Sequence, residues 1–566
     1  GNAFHGELVG YFSGTALEGR RRDRLFLDFA DETRARYYPY GEYVGADREK
    51  AFEGGLLLGG PIFTDRLWFF GSATPRVFVR DRSMDMSIQG IDATNAYRRT
   101  ETSWNGSFKL TAQPFKNLRT GASFSANVFK YKGGNDPDGD DATYAASSNA
   151  STDYNIFGYS YPTYSGNAYA DMTLGNKGLF SVRGGYFFSN KNHSLAPVSE
   201  TPFYAFELEQ PGGYADVTNT MFPEIPAELQ HPAGWRSFPR AMVMGLEKRI
   251  ATRLSLNADF TYYLDLAGEH AVKAGVQYIR RGEDVNDGAL QPIIYLGWDQ
   301  DCWGYGTNYG RGDYGYYAVR GFADAGGYGE VYKVGMNSWA LYLQDSWTIG
   351  RKLTLNLGLR AESEYLPSYN ADPIYAGIKP VKFGFGDKLA PRLGFVYDVF
   401  GDSSFKVYGS YGVFHDVMKL NMGANALGGL KWKSAYYSLD DWDYTQIGVN
   451  GNFPGTLLWV NDFRAPVFDA IDPDMKPFSQ REISLGAEKK LMEDMSLSVR
   501  LVNKKVLSAI EDIGFVFPGE EHFYFTNPGS DFIKQKFEEF TESGFLLPGT
   551  PSTPKAKRDY YALNLS

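Results

Sequence analysis

The sequence predicts an all-β chain folded as a transmembrane antiparallel β-barrel. Three observations lead there. The joints between strands alternate short, long, short, long. The strands carry one apolar and one polar face. No apolar run approaches the roughly 20 residues of a spanning helix, and the mean hydropathy is -0.37. Barrel strands need only about 9–11 residues, of which every second one meets lipid.

One strand pair shows the pattern. Leu353, Leu355, Leu357 and Leu359 alternate with Thr354, Asn356, Gly358 and Arg360. The preceding strand, through Trp339, Leu341 and Leu343, is joined to it by little more than Gly350-Arg351-Lys352. The next strand begins only near Lys388. Tight turns on the periplasmic side and long loops outside give this rhythm.

Taken along the chain, the two-residue period predicts about sixteen strands: 3–13, 52–60, 66–80, 99–112, 117–131, 165–175, 178–190, 250–265, 269–283, 333–349, 353–366, 389–399, 404–415, 476–491, 495–509 and 556–566. The short joints are 61–65, 113–116, 175–177, 266–268, 350–352, 400–403 and 491–494. Between them lie joints of about eighteen to about sixty residues, expected to be structureless external loops. Loops that long are unusual in a compact soluble domain. A turn at Lys248-Arg249 would break the alternation, so 239–249 is assigned to a loop.

The faces read directly. Leu254, Leu256, Ala258, Phe260 and Tyr262 alternate with Ser255, Asn257, Asp259 and Thr261, and Val272, Ala274, Val276 and Tyr278 with Lys273, Gly275 and Gln277. Ile483, Leu485 and Ala487 alternate with Ser484, Gly486 and Glu488. The polar set includes Asp259, Lys273, Arg360 and Glu488. Charges are rarely buried in a dry core without partners, so a wet or plugged lumen suits them better. A two-sheet sandwich also alternates, but its loops do not sort by parity. Trp68-Phe69-Phe70, Tyr262-Tyr263 and Trp347 sit near strand ends, where interfacial girdles belong.

The totals agree. Among 566 residues, 16% are aromatic, with 40 Tyr and 41 Phe beside 64 Gly, which suits strands that need interfacial anchors and close backbone approach. A soluble propeller or solenoid would share that composition, but no fixed repeat period is present. The net charge of -10 argues against a nucleic-acid partner, because phosphate binding needs clustered Lys and Arg. With Cys302 alone, no intramolecular disulfide can form. The opening Gly1-Asn2-Ala3-Phe4 has neither a basic nor an apolar leader region. The close at Tyr561-Ala562-Leu563-Asn564-Leu565-Ser566 falls inside a strand pattern. Residues 1–566 are therefore expected to be one barrel domain, truncated at both ends.

At Gly59-Gly60-Pro61-Ile62-Phe63-Thr64-Asp65-Arg66-Leu67-Trp68-Phe69-Phe70 the sequence resembles TonB-dependent outer-membrane receptors of the Oar-like group. Further similar stretches follow in order: Asn2-Ala3-Phe4-His5-Gly6-Glu7, Gly268 to Gly275, Tyr342 to Trp347 with Leu353 to Arg360, Pro391 to Asp398, and Pro477 to Gln480 with Leu485 to Glu488. The resemblance implies a 22-stranded barrel around an N-terminal plug whose coupling motif engages TonB. Plug, coupling motif and about six strands would then lie outside the given residues.

Chemical motifs are sparse. The carboxylate-rich stretch Gly133 to Asp141 has oxygen ligands enough for Ca²⁺ but not the spacing of an EF-hand, and a solvated acidic turn is the better reading. Arg311-Gly312-Asp313 is a three-residue match that chance supplies. The Tyr-rich stretches Tyr37-Tyr38-Pro39-Tyr40 and Tyr314-Gly315-Tyr316-Tyr317 could stack on sugars or peptides, or simply pack loops together, and both readings stay open. The histidines His5, His193, His231, His270, His415 and His522 show no metal-ligand spacing, and nothing pairs a nucleophile with a base. No catalytic residue, metal site or cofactor is expected, and no ligand-binding residue can be named.

The expected function is that of a TonB-dependent outer-membrane transporter or receptor. External loops would capture a ligand, a peptide or glycan among the candidates, and energy-coupled gating of the plug would release it inward. The alternative is a structural or interaction barrel that scaffolds another surface protein. Expected partners are outer-membrane lipid and lipopolysaccharide, and the TonB complex through the plug.

Overall fold

Antiparallel pairing carries each face of a strand unbroken into its neighbour, because directly opposed residues project to the same side. That rule sorts this chain. The computed structural model describes residues 2–19, 24–28, 31–38, 48–88, 91–133, 158–192, 202–206, 222–230, 237, 245–289, 293–320, 328–368, 380–423, 427, 433–463, 468–518 and 520–566.

Sixteen strands form one antiparallel sheet in chain order. They are β1 (His5–Gly14), β2 (Arg48–Phe63), β3 (Leu67–Ile88), β4 (Ile91–Phe115), β5 (Leu118–Gly133), β6 (Gly158–Leu174), β7 (Gly178–Lys191), β8 (Gly245–Asp265), β9 (Glu269–Ala289), β10 (Tyr328–Ile349), β11 (Leu353–Leu366), β12 (Val381–Asp398), β13 (Phe405–His415), β14 (Ser479–Met492), β15 (Met495–Ser508) and β16 (Asp559–Leu565). Each coincides with one expected strand. Among the described residues β1 pairs only with β2 and β16 only with β15, so the wall has two free edges.

The short joints fall where expected, at 64–66, 116–117, 175–177, 266–268, 350–352, 399–404 and 493–494. Their chemistry is local. Gly268 has φ 135°, and a Cβ there would stand 2.5 Å from the Thr348 carbonyl oxygen, so the turn requires glycine. Asp65 holds a left-handed φ of 61°, braced by Asn2: its backbone N–H donates to Asn2 Oδ1 at 3.1 Å.

Register makes one face continuous and apolar. Leu256, Phe260, Leu341, Leu343, Leu357, Leu359, Leu393, Leu485, Leu501 and Leu563 share it, and all are exposed. A row of water-exposed leucines this long would be an aggregation surface, whereas acyl chains solvate it. Trp339 and Trp347 lie on this face of β10, eight residues apart. At 3.4 Å per residue they stand about 27 Å apart, close to the roughly 25 Å apolar band of such walls.

Four expectations need correction. Residues 245–249 belong to β8, with Lys248 opposite Asn286 and Arg249 opposite Val285, so there is no turn at Lys248-Arg249 and the phase holds without a loop there. The joint after β3 is a paired ribbon, Asp81 through Ile88 against Ile91 through Arg98, rather than a structureless loop. Only half of the expected girdle faces lipid: Phe69, Tyr262 and Trp347 do, whereas alternation turns Trp68, Phe70 and Tyr263 to the other side. Finally, the inner face is not polar throughout. At the outer ends of β9–β12 it carries Val285, Tyr332, Val334, Met336, Leu366, Val381 and Phe383, all buried. The residues that cover them come from the long joints.

Candidate ligand site at the outer mouth

Below the mouth the inner face is a ladder of paired charges. Arg183 lies 3.1 Å from Asp171 and 3.7 Å from Asp259, and Lys273 Nζ is 2.9 Å from the same Asp259. Arg360 donates to Gln277 at 2.7 Å, and Gln277 donates on to Asn257 at 2.7 Å. Asp259 and Lys273 are thus brought together on adjoining strands, and Arg360 joins them from β11 through Gln277. Lys273 and Arg360 border a cavity of about 540 Å³ that also takes in Tyr342, Asn356 and Arg392. Glu488 lies on the same face, opposite Lys406 in register.

The mouth is built from joints far apart in sequence. Phe203–Phe206 (after β7), Ile293–Trp298 and Gly315–Arg320 (after β9), and Lys433–Leu439 and Leu457–Asp462 (after β13) make one five-stranded sheet. Alternation gives this sheet two apolar faces. One buries Phe206, Leu296, Trp298, Tyr317, Val319 and Leu439 beneath Tyr444 and Ile447. The other packs Cys302, Tyr316 and Ala318 against Tyr309, Tyr436 and Trp459, with Tyr309 stacked on Trp459 at 5.4 Å. Tyr204 Oη lies 2.9 Å from the carbonyl of Thr445 and 2.8 Å from that of Ile447, tying the β7 joint to the β13 joint. Burial pushes the Tyr204 phenol up to about 12 and the Cys302 thiol up to about 12.

A second unit follows β15. The hairpin Glu511–Phe517 and Glu520–Thr526 pairs in parallel with Ala470–Ile471 and carries helix α1 (Asp531–Glu542). Ser530 caps α1 by accepting from the Ile533 N–H at 3.3 Å. Lys534 beside Asp531 holds that first-turn carboxyl below its ordinary value. Phe515, Phe517, Tyr524 and Ile533 form the core under the helix.

These joints meet the wall at one buried ion pair. Lys388 Nζ, on β12, lies 2.6 Å from Glu364 Oε2 on β11, and both residues are almost fully buried. Lys388 also donates to the Asp416 carbonyl at 2.8 Å, and the Met418 N–H donates to Glu364 Oε1 at 2.8 Å. The start of the β13 joint is thereby pinned to the wall. Beside the pin is a cavity of about 330 Å³. Its apolar lining is Phe383, Met418, Met422, Phe478, Ile510 and Phe525, and Asp416, Lys419, Glu511 and Asp512 supply the charge. An apolar hollow with a few convergent polar groups is what a ligand pocket requires. Sequence reading missed it because its lining comes from β12 and two separate joints.

The other motifs resolve as follows. Tyr316 and Tyr317 are buried and Tyr314 packs on Phe222 at 5.2 Å, so that stretch packs the cap. Arg311 donates to the Asp299 carbonyl at 2.5 Å and pairs with its carboxylate at 2.6 Å, a local brace. His270 stacks on Trp347 at 5.1 Å beside Asp345, His415 Nε2 lies 3.1 Å from the Leu389 carbonyl, and His522 lies 3.3 Å from Glu520. His5 is on β1. Tyr37 and Tyr38 end a short strand, Asp31–Tyr38. Residues 39, 40, 134–141, 193 and 231 lie outside the described residues. Among the described residues no group of three His, Cys, Asp or Glu side chains is placed to hold a metal.

Residues 93–512 match the family described as outer membrane beta barrel domain. Among curated proteins, the TonB-dependent transporter Oar of Myxococcus xanthus is 23% identical over 94% of this chain and 54% of its own length. The chain therefore spans about half of that relative. Among solved structures, the outer membrane transporter YddB from Escherichia coli is similar with a TM-score of 0.52 at 11% identity, covering 92% of this chain and 55% of that one. The likeness is one of fold.

Proposed function

The chain belongs to the outer membrane beta barrel domain family, and on that premise we propose that it forms the barrel of a TonB-dependent transporter. It is a protein of the bacterial outer membrane. In this reading residues 1–566 act as a single barrel domain. The joints after β13 and β15 capture a ligand at the outer mouth. Energy-coupled movement of a plug then opens the charged lumen to it. No covalent chemistry is involved. The similarity to a TonB-dependent transporter supports the coupling.

The observation that carries the capture step is the apolar cavity beside the Lys388–Glu364 pin, with Glu364 four residues outward along β11 from Arg360 of the charge ladder. A ligand entering there meets Met418 and Met422, adaptable side chains that mould to irregular apolar surfaces. The acidic groups Glu511 and Asp512 favour ligands with cationic or hydroxylated ends, as peptides and glycans have.

Comparing spent media of the host tests this. Strains with the full-length protein, with its deletion, and without TonB are profiled by mass spectrometry. Compounds taken up by the first strain alone are the cargo, and Met422→Trp in the full-length protein lowers their uptake. If every compound is consumed equally in all three strains, the transport reading fails.

A further inference from the structure

Asp345 carries a carboxylate on the lipid side of the wall. It stands in the row between Val272 of β9 and Leu357 of β11, one step along that face from Leu343. At 3.4 Å per residue it lies about 7 Å inside the level of Trp347, within the apolar band. A carboxylate there has no water to solvate it and needs a partner. Among the described residues its Oδ1 is buried and meets no donor. The charge is left to Oδ2, which lies 2.7 Å from His270 Nδ1.

His270 cannot serve both of its neighbours as a neutral ring. Its Nε2 lies 3.0 Å from the Leu266 carbonyl oxygen, which only accepts, so Nε2 carries a proton. Its Nδ1 faces the carboxylate. Ordinary values of about 6.5 for an imidazole and about 3.9 for an Asp carboxyl put the proton between them on the ring. The ring is then an imidazolium that donates at both ends. It stacks on Trp347 at 5.1 Å with the planes 15° apart, a cation over an indole face. Among the described residues Asp345 is the one charged group that acts on the ring. On the same face β8 carries Leu264 and the Tyr262 phenol, and β11 carries Leu355 and Leu357, whereas Asp265 and Glu269 project to the lumen.

The same two side chains hold the turn between β8 and β9. Ala267 has a left-handed φ of 54° without being glycine, a conformation that its surroundings must maintain. Trp347 Nε1 donates to the Ala267 carbonyl at 3.2 Å, and His270 Nε2 to that of Leu266.

We propose that His270 and Asp345 form a pH-sensitive clamp on the β8–β9 turn at the periplasmic rim. With the ring charged, the pair is neutral overall and both acceptors are served. A ring that loses its proton can donate to only one of them, and Asp345 is left as a bare anion beside hydrocarbon. The direction of the effect follows. The fold favours the charged ring, and in the unfolded chain the ring titrates near about 6.5. The stabilisation is therefore complete below that pH and is lost as the pH rises through the titration of the folded ring. The clamp rests on the membrane placement and is independent of the transport reading.

The test uses the full-length protein in detergent micelles. With nitrogen-15 histidine, the His270 signal is the one missing from H270N. It is expected to show both ring nitrogens protonated at pH 7.5, where a free histidine is about nine-tenths neutral. D345N keeps the shape and removes the anion. The wild type is expected to melt several degrees above D345N at pH 6, and the two to converge or cross by pH 9. Protection of residues 266–269 against hydrogen exchange, corrected for the intrinsic rate, falls over that range in the wild type alone. A neutral His270 ring at pH 7.5 overturns the proposal, and so does the same pH dependence of melting in the wild type and D345N. Each measurement stands without the other, so if one variant does not fold the other decides.

Discussion

Lys388 and Glu364 form an ion pair at 2.6 Å on the inner wall, at the level where the lumen passes from charged to apolar. The pair is satisfied on both sides, by the Asp416 carbonyl and the Met418 amide. Removing one member strands the other in a site without water. Lys388→Met is expected to cost about 3–5 kcal/mol, whereas Lys388→Met with Glu364→Leu recovers most of it. Urea unfolding in micelles measures both. Hydrogen exchange of residues 416–422 should rise in the single variant and not elsewhere in the wall.

Leu343 and Leu359 oppose each other midway between the levels of Trp339 and Trp347. Leu343→Arg puts a charge at the bilayer midplane and is expected to destabilise the inserted protein by about 2–4 kcal/mol. Gln344→Arg, one residue on, turns into the lumen and should change stability by less than about 1 kcal/mol. Equal losses in the two variants, measured by unfolding from vesicles, would contradict the assignment of faces.

Cys302 is enclosed by Tyr316 and Ala318, and burial lifts its thiol to about 12. Its thiolate is therefore scarce between pH 7 and 9 in the folded cap, and a maleimide should not react. Full denaturation should release one reactive thiol per chain. Labelling that proceeds in the folded protein at the rate of a free cysteine would show that the cap opens.

The two ends of the wall should be distinguishable on whole cells. A short tag inserted after Gly549, in the exposed joint beyond α1, is expected to bind antibody on intact cells. The same tag after Gly350, in a turn between β10 and β11, should bind only after the outer membrane is permeabilised. The reverse pattern would invert the orientation.

All sixteen wall strands were legible because each depends on a local two-residue period and all but β1 and β16 also on a turn within a few residues, as at Leu353 to Arg360 after Gly350. The lumen charges Asp259, Lys273 and Arg360 followed from the same parity. The cap was not legible. Phe203–Phe206 and Ile293–Trp298 are short, apolar on both faces and separated by two wall strands, so no periodicity links them. Lys388 gave no signal either. It pairs with Glu364 through an irregular step in which four residues, 384–387, bulge opposite Ser363.

The five-stranded sheet over the mouth draws its strands from three joints, with Tyr204 reaching Thr445 and Ile447 across more than two hundred residues. None of those joints can find the others until the wall between them has been laid down and threaded into the bilayer. Assembly must then run in a fixed order, membrane first and crown last. An antibody raised against the intact crown would therefore count only fully inserted molecules, and would pass over chains stalled on the way.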